Sequence, residues 1–339
     1  MVQLMKPTVS KEHVPLLFHE PHVLSGFRHI HQPWTYYFLS LFQIHNECLN
    51  SWTHLIAMLL VIKKMMTFSK EFSLITDPYM WPLTSGILSI VILYLCSSLA
   101  HCLQSRSELA HYTCFMFDYA GIGLYGIGSI ILHYNYCMLP SFDIGILQSW
   151  IIPVGVLLGV GVCLCCSISK VRYKRPYPFI RKVWQLGSVG GIYALLILPI
   201  AHRVLLMILT SEWDKGLPHH IEQMIWFIMA GFFFGSDIPQ RFFPGKFDFL
   251  GHSHQLFHIC IMMVSWKQLD GIYEDIVAWK TLLYEKDPPT FSSTFGAIFL
   301  TIFINLIVVV IFTESAKQFI DQGKPREIKI DLISVKKRK

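Results

Sequence analysis

Eight apolar runs, each long enough to cross a bilayer as a helix, divide this chain. They predict spans near 48–66, 82–102, 111–133, 144–168, 183–209, 221–240, 249–266 and 292–313. The sixth and seventh are diluted by Asp237, Pro239, His252, His254 and His258. Ahead of them, residues 33–44 (PWTYYFLSLFQI) are too short to span. Their aromatic content suits an interfacial amphipathic helix with rings at headgroup depth, or a loop packed under the bundle. The pattern predicts an N-terminal tail over 1–44, a transmembrane domain over 45–314 and a basic tail over 315–339. The expected fold class is therefore an all-α polytopic membrane protein.

Composition narrows the picture. The chain of 339 residues is 53% hydrophobic and 15% charged, against about 25% charged in soluble domains. No hydrophilic stretch is long enough for a separate soluble domain. The first forty residues, with Lys6, Pro7, Lys11, Pro15 and Pro21, hold no apolar core of signal-peptide length.

Charge sets the expected orientation. With the N-terminus cytoplasmic, 20 of the 28 lysines and arginines fall in inside segments and 8 in outside ones. Without the last span and its tail the count is 12 against 8, which keeps the direction. Both termini are thus expected in the cytoplasm. The net charge of +6 is gathered in cytoplasmic clusters, which suits an anionic leaflet and not nucleic acid. Of nine cysteines only Cys137 is expected on the exoplasmic side, where it has no partner for an internal disulfide.

The candidate chemistry lies in Gly251–His258 (GHSHQLFH). His254 and His258 are four apart, so on a helix they share one face, as two imidazoles must to hold one metal ion. The predicted orientation places Ser97 and His101 at the inner end of the second span and Asp118 about two turns into the third. All five then lie in the inner-leaflet half. Three neutral imidazoles with one open position make a catalytic type of zinc site, with water in the fourth place. Asp118 is the candidate direct ligand or base, and Ser97 a hydrogen-bonding neighbour. Against this stand plain structural readings: H-x-x-x-H occurs on many helices without metal, and Asp118 can pair with a histidine.

Other groups fit less well. His111 shares a face with Asp118 and is the reserve ligand. His252 lies on a different face, and His219 and His220 fall on the far side. Asp237 and Arg241, four apart, predict a local salt bridge. Gly121, Gly123, Gly126 and Gly128 predict close helix packing. Cys163, Cys165 and Cys166 read as small buried residues or palmitoylation sites.

The chain resembles the progestin and adipoQ receptor family. The resemblance runs from Gly26 to about Trp266. It rests on Gly26-Phe27-Arg28, on His45-Asn46-Glu47 with Asn50-Ser51-Trp52-Thr53-His54, on Ser97-x-x-x-His101, on Phe117-Asp118-Tyr119 and on Ser253-His254-Gln255-Leu256-Phe257-His258. It is most similar to the membrane progestin receptor branch, of the alpha and beta kind. Gln32-Pro33-Trp34, Leu41-Phe42-Gln43, His101–Glu108 and Phe243-Pro244-Gly245 support that, as does the eighth span.

The resemblance implies a seven-helix core around a lumen open to lipid, plus a C-terminal helix, and an inner-leaflet zinc. His101, His254 and His258 take the ligand positions, and Asp118 that of a water-bridged carboxylate. It also implies a plasma-membrane steroid receptor with rapid non-genomic signalling, often linked to oocyte maturation. His45, Glu47 and His54 match a motif of less clear role; Glu47 and Asn50 at a helix start can simply cap and pack.

The alternative is a ceramidase-like, zinc-dependent lipid amide hydrolase, with Asp118 taking the proton and Ser97 orienting it. The same residues serve both. Expected partners are a steroid or sphingolipid ligand, membrane lipids and a G protein at the cytoplasmic face; no nucleic acid is expected.

Overall fold

Where no water can reach the backbone, each apolar run must satisfy its own hydrogen bonds, and a helix does so within one segment. The computed structural model describes residues 5–142 and 144–322, and its regular structure there is helical apart from one antiparallel bridge between Val9 and Phe27. The helices are α1 Trp34–Ser40, α2 Cys48–Phe68, α3 Trp81–Leu103, α4 Glu108–Leu132, α5 Ile151–Arg172, α6 Phe179–Leu196, α7 Leu198–Thr210, α8 Leu217–Ser236, α9 Ser253–Ala278, α10 Lys280–Tyr284 and α11 Ala297–Gln322.

Among the described residues four helical stretches, containing α3, α4, α5 and α11, are long and apolar enough to cross a membrane. The pair α6–α7 makes a fifth if counted as one span, bent by 59°. The predicted fifth span is therefore broken, and Pro199 in the first turn of α7 supplies the cause. Helices α2, α8 and α9 are 21, 20 and 26 residues long, but polar side chains dilute each one.

Packing runs in chain order through α2, α3, α4, α5 and α6, while α8 packs on α9 and α9 on α2. Helix α11 packs against α4 and α5. The α4–α5 crossing depends on glycine: a Cβ on Gly123 would stand 2.1 Å from the Gly159 carbonyl oxygen. Backbones can approach that closely only where side chains are missing.

The N-terminal segment is folded against the helices. Asp248 accepts from the backbone N–H groups of Leu24 and Ser25 at 3.0 and 2.7 Å. Helix α1 is too short to span, buries Tyr36, Tyr37 and Ser40, and exposes Trp34 and Phe38. It is a short helix packed on one side against the other helices. At the other end α11 continues to Gln322, beyond the expected limit of 314; the rest of the basic tail lies outside the described residues.

One expected contact is replaced by another. Helix α8 ends at Ser236, and Asp237 takes the left-handed conformation at φ 57°. Asp237 and Arg241 no longer share a helical face, and Asp237 pairs with Lys182 at 2.7 Å instead.

Candidate metal centre and its cavity

His101 occupies the last turn of α3, where the terminal carbonyls have no partners within the helix. Arg28, fully buried, supplies them: Nη2 donates to the His101 carbonyl at 2.8 Å and Nη1 to that of Cys102 at 2.6 Å. Burial lowers the Arg28 pKa, with Cys102 and then Glu47 acting in the opposite direction. The guanidinium thus fixes the turn that carries His101.

His254 and His258 sit in the opening turns of α9. Gly251, at φ 82°, makes the turn into the helix. Gln240 then caps its start, accepting from the Ser253 N–H at 2.8 Å and donating to Ser253 Oγ at 2.7 Å. The two histidines face His101. His254 Nε2 lies 3.2 Å from His101 Nε2 and 3.2 Å from His258 Nε2.

The surrounding hydrogen bonds set the tautomers of two of these rings. His101 Nδ1 is 2.7 Å from Glu47 Oε2, and His258 Nδ1 is 3.1 Å from the Asn50 carbonyl. Both Nδ1 atoms therefore carry the proton, and both Nε2 atoms present lone pairs to the same point. Nitrogens gathered in this way can hold a cation. Nitrogens bound to tetrahedral zinc at about 2.0–2.1 Å stand about 3.3–3.4 Å apart, so the observed spacing fits such an ion.

The supporting side chains were only partly legible. Glu47 also accepts from Asn50 Nδ2 at 2.6 Å, and Thr53 Oγ1 lies 3.1 Å from His258 Nδ1. His54 stacks on His258 with ring centroids 3.7 Å apart. Glu47, Asn50 and His54 follow each other at spacings of three and four, one face of a helix, and that spacing was the available signal. Glu47→Gln should weaken metal binding about 10–100-fold, which competition with a chromophoric chelator measures directly.

Asp118 and Ser97 line the same cavity as the three histidines. The reserve ligand His111 is not brought there; its Nδ1 lies 2.5 Å from Gln104 Oε1 and its Nε2 2.9 Å from Lys170 Nζ. His252 lies 3.2 Å from the Asn46 carbonyl, away from the three nitrogens.

The cavity has a volume of about 740 Å³. Its walls are largely apolar, including Ile122, Val189, Ile192, Phe227, Ile261 and Val264. A second polar group, unread in the sequence, stands well along from the histidines. Gln268 Nε2 donates to His133 Nε2 at 2.9 Å, and Gln223 lies between His133 and His220. Behind them Asp275 meets His220 Nε2 at 2.9 Å and two Arg203 nitrogens at 2.6 and 2.8 Å. Cys137 is buried beside this network, with Sγ 3.5 Å from His220 Nε2.

A haemolysin-III related family profile matches residues 42–269. The chain belongs to that family, which includes the progestin and adipoQ receptors. Relatives share its sequence over most of its length. The mouse membrane progestin receptor beta is 37% identical over 293 residues, covering 84% of this chain and 80% of the relative. The human membrane progestin receptor alpha is 32% identical over 318 residues, covering 93% and 90%. The zebrafish membrane progestin receptor alpha-B is 33% identical over 280 residues, covering 82% and 78%. With the apolar helices, this family membership makes the chain an integral, multi-pass membrane protein.

Proposed function

We propose that this haemolysin-III related protein is a plasma-membrane progestin receptor that signals without entering the nucleus. The observation that carries the proposal is the cavity. A chamber of about 740 Å³ with apolar walls and a few polar groups has the size and character of a small-molecule site. The relatives' names supply the ligand class. A progestin partitions into the bilayer and can reach such a chamber from the lipid. Helices α6 and α8 both line it; a stacked Tyr193–Phe227 pair, 3.6 Å between centroids, and a bond from Lys182 to the Gly235 carbonyl at 3.0 Å bridge them there. Ligand entry at this seam shifts the helices toward the arrangement it favours, and the cytoplasmic face reports the change, for example to a G protein.

Within this reading the core is a seven-helix ring with α11 as an eighth helix, and the N-terminus is cytoplasmic. His101, His254 and His258 hold zinc. When bound, the ion supplies a Lewis acid at one end of the chamber and ties α3 to α9.

A hydrolase reading is favoured by one observation of its own: Asp118 and Ser97 share the cavity with the three histidines. In that reading Asp118 takes a proton from the attacking water and Ser97 holds the carboxylate in place, so that a lipid amide is cleaved. Asp118→Asn separates the two. The substitution should leave progestin affinity within about threefold, since it costs a wall residue no volume, and it should abolish any ceramide hydrolysis. Saturation binding of labelled progesterone and fatty-acid release, measured on one purified preparation, check both. Progesterone that fails to bind the wild type would remove the receptor reading.

A further inference from the structure

One stretch of the cavity lining is used by neither reading. Lys170, in the last turn of α5, is only 2% exposed. Its ammonium donates to His111 Nε2 at 2.9 Å and stands 4.0 Å over the Phe115 ring. Two further cations follow in the connection to α6 and its first turn. Arg175 lies 4.6 Å and Arg181 4.0 Å from the centre of the Tyr177 ring, and Lys170 reaches 5.9 Å from it. Three positive groups thus surround one aromatic ring, and all four residues line the cavity.

Their countercharge is incomplete. Arg175 pairs with Glu20 at 2.6 Å. Among the described residues neither Lys170 nor Arg181 has an acidic partner at ion-pair distance. Arg181 Nη2 donates only to the Tyr119 hydroxyl, at 3.2 Å. Nearby Lys182 is already matched by Asp237. A buried ammonium without a carboxylate is costly, and the cost falls when an anion arrives. Guanidinium groups suit oxyanions in particular, because their fork matches two oxygens at once.

We propose that Lys170, Arg175 and Arg181 form an oxyanion site at one end of the cavity, which takes a phosphate or sulfate carried on an apolar body. The head group lies against the three cations and the body extends along the apolar wall. Two sources share this chemistry: the head group of an anionic membrane lipid, and a sulfated steroid. The second source rests on the progestin reading; the first does not.

Native mass spectrometry of the full chain tests it with two matched pairs, phosphatidate against phosphatidylcholine and pregnenolone sulfate against pregnenolone. The anionic member of at least one pair should bind about tenfold more tightly, and Lys170→Gln and Arg181→Gln should each erase the preference. A preference in the lipid pair alone assigns the site to a head group, and in the steroid pair alone to a conjugate. Equal binding within both pairs would overturn the proposal, and because the comparison is made on the wild type, a poorly folding variant cannot obscure it. If neither steroid nor progesterone binds, the receptor reading fails, while the lipid pair still decides the anion site.

Discussion

Replacing Arg203 by methionine is expected to destabilise the protein by about 3–5 kcal/mol, seen as a large fall in thermal midpoint in detergent. Arg203 is 2% exposed and makes two bonds to Asp275, which is buried to the same degree. It also pairs with the partly exposed Asp214 at 2.5 Å. Removing the guanidinium leaves Asp275 charged, buried and held only by His220. The loss is that uncompensated carboxylate more than the pair itself, and this can be separated. The double variant Arg203→Met/Asp275→Leu should recover most of the midpoint, since apolar residues of similar volume often replace a buried pair without loss. A double variant no better than the single one would mean that the pair itself holds α7 to α9.

The second large effect concerns the metal. In His254→Ala/His258→Ala, zinc retained after purification should fall from about one per chain to near none, because a lone imidazole on α3 cannot hold the ion. A chelator should lower the wild-type thermal midpoint and leave that of the double variant unchanged, since a metal bound to the native state alone stabilises it. His252→Ala, at the N-cap of α9, makes the control. Its ring bonds to the Asn46 carbonyl and stands apart from the three nitrogens, so zinc should stay.

The positions of most helices were legible because apolar length is a direct consequence of the bilayer. What hydropathy missed were breaks and extensions made by specific side chains. The fifth run looked continuous, yet Pro199 divides it into α6 and α7. The seventh looked complete near Trp266, where charged residues begin, yet α9 runs on to Ala278. Its charges are matched from other helices: Asp270 meets Lys64 at 2.5 Å and Asp275 meets Arg203. No window along one segment can register a partner 72 or 206 residues away.

The histidines show the same division. His254 and His258 were legible from their spacing, and His101 from its predicted depth. Which nitrogen faces the centre was not legible, because that depends on Glu47 and the Asn50 carbonyl reaching across from α2. The expected Asp237–Arg241 pair failed for a local reason. An i, i+4 pair needs a helix through both residues, and α8 stops one residue before the first. His133, Gln223 and Gln268 carried no sequence signal, since three neutral polar residues on separate helices have no shared spacing.

We propose that three imidazole nitrogens, with His254 Nε2 3.2 Å from each of the other two, hold a zinc ion at the end of the cavity. Elemental analysis of the purified wild-type protein tests it most directly. About one zinc per chain, lost together with His254 and His258, is the predicted result. A wild type that folds, stays monodisperse and carries no zinc, even after exposure to the metal, would contradict it.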